Sequence, residues 1–401
     1  MNVILICESA RITGGAERVA VLEALELRKR GIRVGFIAAD LIADPRLAEA
    51  GVELLLLEAN SWFEETDKLK RNKMFFSNPF VREPVEAFLK QYSPEQTVIH
   101  IHSFRLKLTG TPIAIAQKMG FRTVFHCNEY ATICPTSLYY NHRTQANCEL
   151  KPLSIGCITC ECQGQNIRHK LPKLTNHFGN KYLLKLYRRA DLFIAVSPLN
   201  ERTLTPHLPK PPIIVNYPHA YPTPEEMGSN EGQEFAFIGR LVPEKAPDTF
   251  LQAAKLAGVN AVIIGGGPME EQLRAAHPEA RFTGWLSDQL LKDELKNIRA
   301  LVIPSRWRET FGLTVVDAIH RGIPVISTTN VGASQVVLES GAGIVTEEVT
   351  PQSLADAMKT LQDQDTWTKM REAALVWSKS NPRSTEQFVD RILELFTPLV
   401  K

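Results

Sequence analysis

No apolar run in this 401-residue chain approaches the roughly 20 residues that a helix needs to cross a bilayer. The opening "MNVILICESA" has no basic segment ahead of its apolar run and no small-residue cleavage site after it. It therefore reads as a first buried strand rather than a secretion signal, and the expected compartment is the cytoplasm. Charge of one sign is scarce too: 46 Lys and Arg against 44 Asp and Glu leave a formal +2, so local clusters matter more than the total. No aromatic platform or recognition motif accompanies the basic residues, which argues against nucleic acid as a partner. A P-loop is missing, and no third glycine completes a dinucleotide fingerprint. Neither internal repeats nor low-complexity tails occur.

The composition that remains, 44% hydrophobic and 22% charged, is that of a globular protein with ample core, and its length suggests two domains. Short apolar strands alternate with helix-length segments. The first half offers "NVILIC", "RVGFIAA", "VELLLLE", "TVIHIHS", "RTVFHCN", "DLFIAVS" and "PIIVNY". The second offers "EFAFIGR", "AVIIGGG", "RFTGWL", "ALVIPS", "PVISTT" and "GIVTEE". Strands without polar alternation, spaced by helices, indicate parallel sheets covered on both faces. Between the two series lies "YPHAYPTPEEMGSNEGQE", rich in Pro, Gly and polar residues, which reads as a linker. The expected architecture is α/β, with two Rossmann-like doubly wound domains facing a central cleft. The boundaries are 1–222 and 223–383, with a last helix at 384–401 that packs back on the first domain. In such sheets ligands bind at the carboxyl ends of strands.

Several loops at those ends carry suitable chemistry. Gly14 and Gly15, after the first strand, permit a tight turn and close backbone approach to a ligand, or simply make a turn. "FIGRLVPEK" sets Arg240 and Lys245 in a strand-to-helix loop, where two cations beside helix amides suit a diphosphate. The bland alternative is a pair of solvated loop charges. "IPSRWRETFGLTVVDAIHRGIPVIST" places Glu309 at a strand's end, then Phe311, Gly312 and Leu313 at a helix start, and Asp317 about two helical turns beyond Glu309. One acid for each sugar of a nucleotide-sugar explains that spacing; a dipole-favoured acid and a surface Asp would also fit.

"GGAERV", "FIGRLVPEK", "FTGWLSD" and "PSRWRETFGLTVVDAIHRGIPVIST" together resemble the retaining glycosyltransferases of family 4, which have the GT-B fold. The resemblance runs in order along nearly the whole chain and is strongest from about 235 to 345. It implies sugar transfer from a nucleotide-sugar (a UDP- or GDP-sugar) to an acceptor hydroxyl, with retention and no catalytic metal. Carried over, Arg240 and Lys245 hold the diphosphate and Glu309 the transferred sugar. The Phe311, Gly312 and Leu313 amides meet phosphate and sugar, and Asp317 holds ribose. Gly284 and Leu286 cradle the base, Gly15 approaches the phosphates, and His126 stands near the reacting sugar carbon. Asp317 replaces the usual Glu, and Ala246 follows Lys245 where Gly is common. His102 was also expected near the cleft, or else as a buried structural histidine. Rival readings are a nucleotide-sugar epimerase on the same fold and a non-catalytic nucleotide-sugar or glycan-binding protein.

Six of seven cysteines fall between 127 and 162. In a reducing compartment a structural zinc at Cys134, Cys148, Cys157 and Cys160 is chemically reasonable, and reduced thiols are equally so. From Gln163 to Ala190 there are seven Lys or Arg and no acid, and Asp67–Phe76 adds four bases beside apolar residues. Such segments suit an anionic membrane surface, where lipid-linked saccharide acceptors reside, or a solvated helix face.

Overall fold

The computed structural model describes residues 1–59, 78–105, 107–164, 167–218 and 232–401. The basic segment at 67–76 and most of the linker-like stretch lie outside them. The chain divides into two compact units. Unit 1 comprises Met1–Tyr139, Glu149–Pro218 and Arg383–Lys401; unit 2 comprises Tyr140–Cys148 and His219–Pro382.

The strands in chain order are β1 (Asn2–Ile6), β2 (Arg33–Ala38), β3 (Glu53–Leu56), β4 (Thr97–Ile101), β5 (Arg122–His126), β6 (Tyr140–Asn141), β7 (Ala146–Asn147), β8 (Leu192–Ala195), β9 (Ile213–Ile214), β10 (Glu234–Ile238), β11 (Asn260–Ile264), β12 (Arg281–Gly284), β13 (Ile298–Ile303), β14 (Val325–Thr328) and β15 (Gly343–Thr346). Unit 1 holds a seven-stranded sheet, β3-β2-β1-β4-β5-β8-β9, and unit 2 a six-stranded sheet, β12-β11-β10-β13-β14-β15. Every pairing in both large sheets is parallel. All thirteen apolar segments read from the sequence thus become strands, because a run buried on both faces has no other low-energy place to go. In each sheet the order reverses beside the first strand, which is the topological switch point where ligands bind.

Helices flank both sheets. Gly15–Lys29 turns Val19, Ala20, Val21, Ala24 and Leu27 inward, together with two acids, Glu23 and Glu26. The last helix, Thr385–Phe396, belongs to unit 1. It opens on a Ser384/Gln387 capping box and buries Phe388, Val389, Ile392 and Phe396. Lys29 and Arg30 meet Glu386 and Asp390 along its polar side. The sequence reading assigned 140–148 to the first domain, whereas this β6–β7 hairpin packs with unit 2. Its partners are loop residues far along the chain, which no local pattern reveals.

Candidate functional site

The polar centre of unit 2 is built by two loops at the carboxyl ends of adjacent strands. After β10 the chain turns through Pro243–Lys245 and enters the helix Pro247–Ala257 by way of Ala246. Ala246 sits at φ 54° and is fully buried. A left-handed backbone costs an alanine roughly 1–2 kcal/mol, which accounts for glycine being common at this position. After β13, Ser305 leads through Arg306 to Glu309. The backbone of Glu309 bridges to the neighbouring segment, with its N–H donating to Asn330 O (2.8 Å) and its carbonyl accepting from Gly332 N (2.9 Å). Lys245 Nζ donates to Glu309 Oε1 at 3.0 Å, and Ser305 Oγ donates to Oε2 at 2.7 Å. Burial alone would raise the Glu309 pKa; the Lys245 charge and these hydrogen bonds outweigh it and hold the carboxyl below its ordinary range. Sequence reasoning missed Arg306, which sets the spacing of the two loops. Its guanidinium grips Asp248 (3.0 and 2.8 Å) and Pro243 O (2.8 Å), and its own N–H donates to Glu244 O (2.9 Å). Arg240 is exposed, with no partner among the described residues.

Glu309 precedes the helix Leu313–His320 by four residues, so Asp317 lies just over one turn inside it, not two turns along a face shared with Glu309. Gly312 makes the entry. At φ 98°, with a Cβ position 2.9 Å from Val331 Cγ1, only glycine fits, and among the described residues this N-cap has no side-chain cap hydrogen bond. Beside this entry the "GGG" turn is a packing device. A Cβ on Gly265 would stand 2.1 Å from Gly239 O, and Leu241 N donates to Gly266 O at 3.0 Å. The Gly284 carbonyl is engaged by Gly265 N (2.9 Å), Leu286 is half-buried, and Trp285 between them is 72% exposed.

Residues 13–218, half of the chain, match the family described as Glycosyltransferase Family 4, and residues 224–377 match Glycosyl transferases group 1. The chain belongs to glycosyltransferase family 4. The 2-deoxystreptamine N-acetyl-D-glucosaminyltransferase of Niallia circulans is 30% identical over 131 residues, 30% of this chain and 33% of that protein. The O-antigen chain mannosyltransferase C of Escherichia coli is 28% identical over 179 residues, 42% of this chain and 47% of that protein. These matches thus span between a third and a half of the relatives' lengths. Among solved structures, Anabaena HepE in complex with UDP and glucose superposes with a TM-score of 0.66 at 16% identity, covering 99% of both chains. Sucrose-phosphate synthase from Thermosynechococcus elongatus gives 0.69 at 16% identity, covering 100% of this chain and 99% of that one. The fold is GT-B, two parallel-sheet α/β units.

In unit 1, Gly15 is the exposed first residue of its helix. His126 departs from its family-based expectation. Its ring is only 3% exposed and stacks on Tyr217 (5.3 Å between centroids), with Nδ1 3.1 Å from His100 Nε2 and Nε2 buried without a partner. It belongs to an interior cluster in which Glu23 accepts from His100 Nδ1 (2.7 Å) and His102 Nε2 (3.0 Å). His102 is therefore the structural histidine of its two readings. Burial and the neighbouring imidazoles push His126 well below the ordinary histidine range, and burial, then the His100 imidazole, lowers His102. Glu23 falls to about 2, because the two imidazoles overcome the cost of burial. Among the described residues this is the one group of three or more His, Cys, Asp or Glu able to close on a metal. Hydrogen-bond distances link its members to one another, with His126 Nε2 left over. Among the described residues no group of three or more cysteines, Cys134, Cys148, Cys157 and Cys160 included, brings its sulfurs close enough to share a metal. All seven cysteines are free. The basic stretch after Gln163 is mixed in role. Lys170 is buried and caps the Cys157 and Cys160 carbonyls, whereas Lys185, Arg188 and Arg189 are exposed, as are Leu171, Phe178, Tyr182 and Leu183.

Proposed function

We propose that this protein transfers a sugar from a nucleotide-sugar to an acceptor hydroxyl, retaining the anomeric configuration and using no catalytic metal. The observation that carries this reading is the Lys245–Glu309 pair, an ion pair part-way out of water with side-chain exposures of 25% and 12%. A diphosphate gives the Lys245 ammonium a second anionic partner and leaves Glu309 free to accept from sugar hydroxyls. Arg240 supplies a second cation, and the amides at Gly312 and Leu313, with that of Phe311, face phosphate and sugar. As the bond between the sugar's anomeric carbon and the β-phosphate oxygen breaks, negative charge grows on the diphosphate. Arg240, Lys245 and the helix amides stabilise it, the role a divalent cation plays elsewhere. The acceptor oxygen bonds to the anomeric carbon on the face the leaving group vacates, and its proton passes to a departing phosphate oxygen. Asp317 takes the ribose, and Gly284 and Leu286 the base. Neither His126 nor any cysteine has a part in this chemistry.

A UDP- or GDP-sugar donor and a lipid-linked or growing saccharide acceptor, in surface polysaccharide or glycolipid assembly, fit the relatives' names. The exposed Leu171, Phe178, Tyr182 and Leu183, with Lys185, Arg188 and Arg189, suit a peripheral position on an anionic membrane at the cytoplasmic side. No helix of the described residues is long and apolar enough to cross a membrane. The test is a panel of nucleotide-sugars incubated in EDTA without acceptor, followed by NMR of the released sugar. Slow hydrolysis of one donor with its anomeric configuration kept is the expected result. Binding without turnover would favour a non-catalytic protein, and inversion at a ring carbon with the nucleotide still attached would favour an epimerase.

A further inference from the structure

The β6–β7 hairpin lies within the cysteine-rich insert, which the proposed chemistry leaves without a role. The chain leaves unit 1 after Tyr139, gives this hairpin to unit 2 and re-enters unit 1 at Glu149. Only two residue pairs close it, Tyr140 with Asn147 and Asn141 with Ala146. So short a ladder has little stability alone, and its conformation in unit 2 is set by what it touches.

We infer that this hairpin is a positioning element of the donor site and that Asn147 is its positioning residue; the inference rests on the proposed role of Glu309. The Asn147 amide reaches both chain segments that carry Glu309. Its Nδ2 donates to Arg306 O (3.2 Å) and to Asn330 Oδ1 (3.1 Å), and its Oδ1 accepts from Arg308 N (2.8 Å). Asn330 is the residue whose carbonyl takes the Glu309 N–H. One side chain thereby ties the 306–308 segment to the 330–332 segment on which the Glu309 backbone is pinned. Cys148 adds its carbonyl to the Arg308 guanidinium (3.3 Å). On the hairpin's other strand Tyr140, 1% exposed, packs its ring edge against His142, whose Nδ1 is 3.8 Å from Glu244 Oε2. Glu244 directly precedes Lys245. The insert therefore touches the chain next to both members of the Lys245–Glu309 pair. Glu309 is held 3.0 Å from Lys245 by Arg306 on one side and by Asn147 on the other. A carboxylate that must meet particular sugar hydroxyls needs such support from beyond its own contacts, since small misplacements are costly in rate.

The experiment is a double-mutant cycle on donor hydrolysis with Asn147→Ala, Glu309→Ala and the pair. Loss of three hydrogen bonds is expected to lower kcat/KM for the donor roughly 10- to 100-fold, while the KM for an acceptor stays within about 2-fold of wild type. In the Glu309→Ala background the same change should cost less than about 2-fold, because nothing remains to be positioned. Asn147→Asp keeps the shape and the acceptor for Arg308 N but removes both donors. It is expected to match or exceed the Ala defect with a folded circular dichroism spectrum, which keeps the test valid if Asn147→Ala misfolds. Additive losses, or full activity in Asn147→Asp, would overturn the inference while leaving the transferase reading intact. Loss of the transferase reading itself would appear separately, as no effect of Glu309→Ala.

Discussion

Glu309 and Glu23 are both carboxylates withdrawn from water, each answered by two side chains, yet they do different work. Glu309 is met by a lysine and a serine, Glu23 by two imidazoles. Lys245 is a flexible ammonium with a quarter of its side chain still exposed, so it can exchange one anion for another. His100 in β4 and His102 just beyond its end are both sealed, with Phe396 edge-on against His100 (5.1 Å). A buried acid whose counter-ion can move marks a binding site; one whose partners cannot move marks a structural knot. The pKa directions agree for both acids and so do not distinguish them. The freedom of the partner does.

Substitutions that strike one acid and spare the other can break this contrast. Glu309→Ala should cut donor turnover by about 10²- to 10³-fold and shift the unfolding midpoint little, as measured by parallel hydrolysis assays and thermal melts. Glu23→Ala should do the reverse. Stranding two buried imidazoles without their carboxylate should cost about 3–5 kcal/mol by urea unfolding, while turnover per folded molecule stays within a few-fold. Acid should sharpen the difference further. His102 and His126 have folded pKa values below the ordinary 6.5, so the unfolded chain binds more protons and stability falls as pH drops through 6.5. Glu23, depressed from 4.5 to about 2, contributes stability above 4.5 that is lost as pH falls toward 2. Urea midpoints between pH 7.5 and 5.5 should therefore decline by the equivalent of about 1 kcal/mol per pH unit, and His126→Phe should flatten that slope. The smallest effect concerns Ala246. Replacing it with glycine should raise stability by up to about 1 kcal/mol by relieving its left-handed backbone, read as a higher urea midpoint.

The sequence made the sheets plain because thirteen apolar runs had to be buried, and runs of that kind announce themselves locally. Lys245 and Glu309 were readable because they stand in the loops that follow β10 and β13, and a loop after an apolar run is a place the sequence itself marks. The β6–β7 hairpin was not, since its two-residue strands carry no periodicity and Asn147 finds its partners some 160–180 residues away. His126 misled for a related reason. A strand-end histidine looks the same in sequence whether it opens to a ligand or packs on Tyr217, and the deciding element, the helix Thr385–Phe396, lies at the far end of the chain. The cysteine spacing misled because closeness in sequence does not by itself converge sulfurs, and among the described residues no such group forms. The "GGG" turn makes its close approach to Gly239 and Leu241 of the same unit, a contact that no local pattern reveals.

The most direct measurement is calorimetric titration of UDP and GDP into wild type, Lys245→Ala and Glu23→Gln, all in EDTA. The account predicts that one of the two nucleotides binds wild type and Glu23→Gln alike, and that Lys245→Ala weakens it about 10- to 100-fold, the loss of one to two charge-assisted contacts. Equal affinity in wild type and Lys245→Ala, or binding that requires a divalent cation, would contradict it.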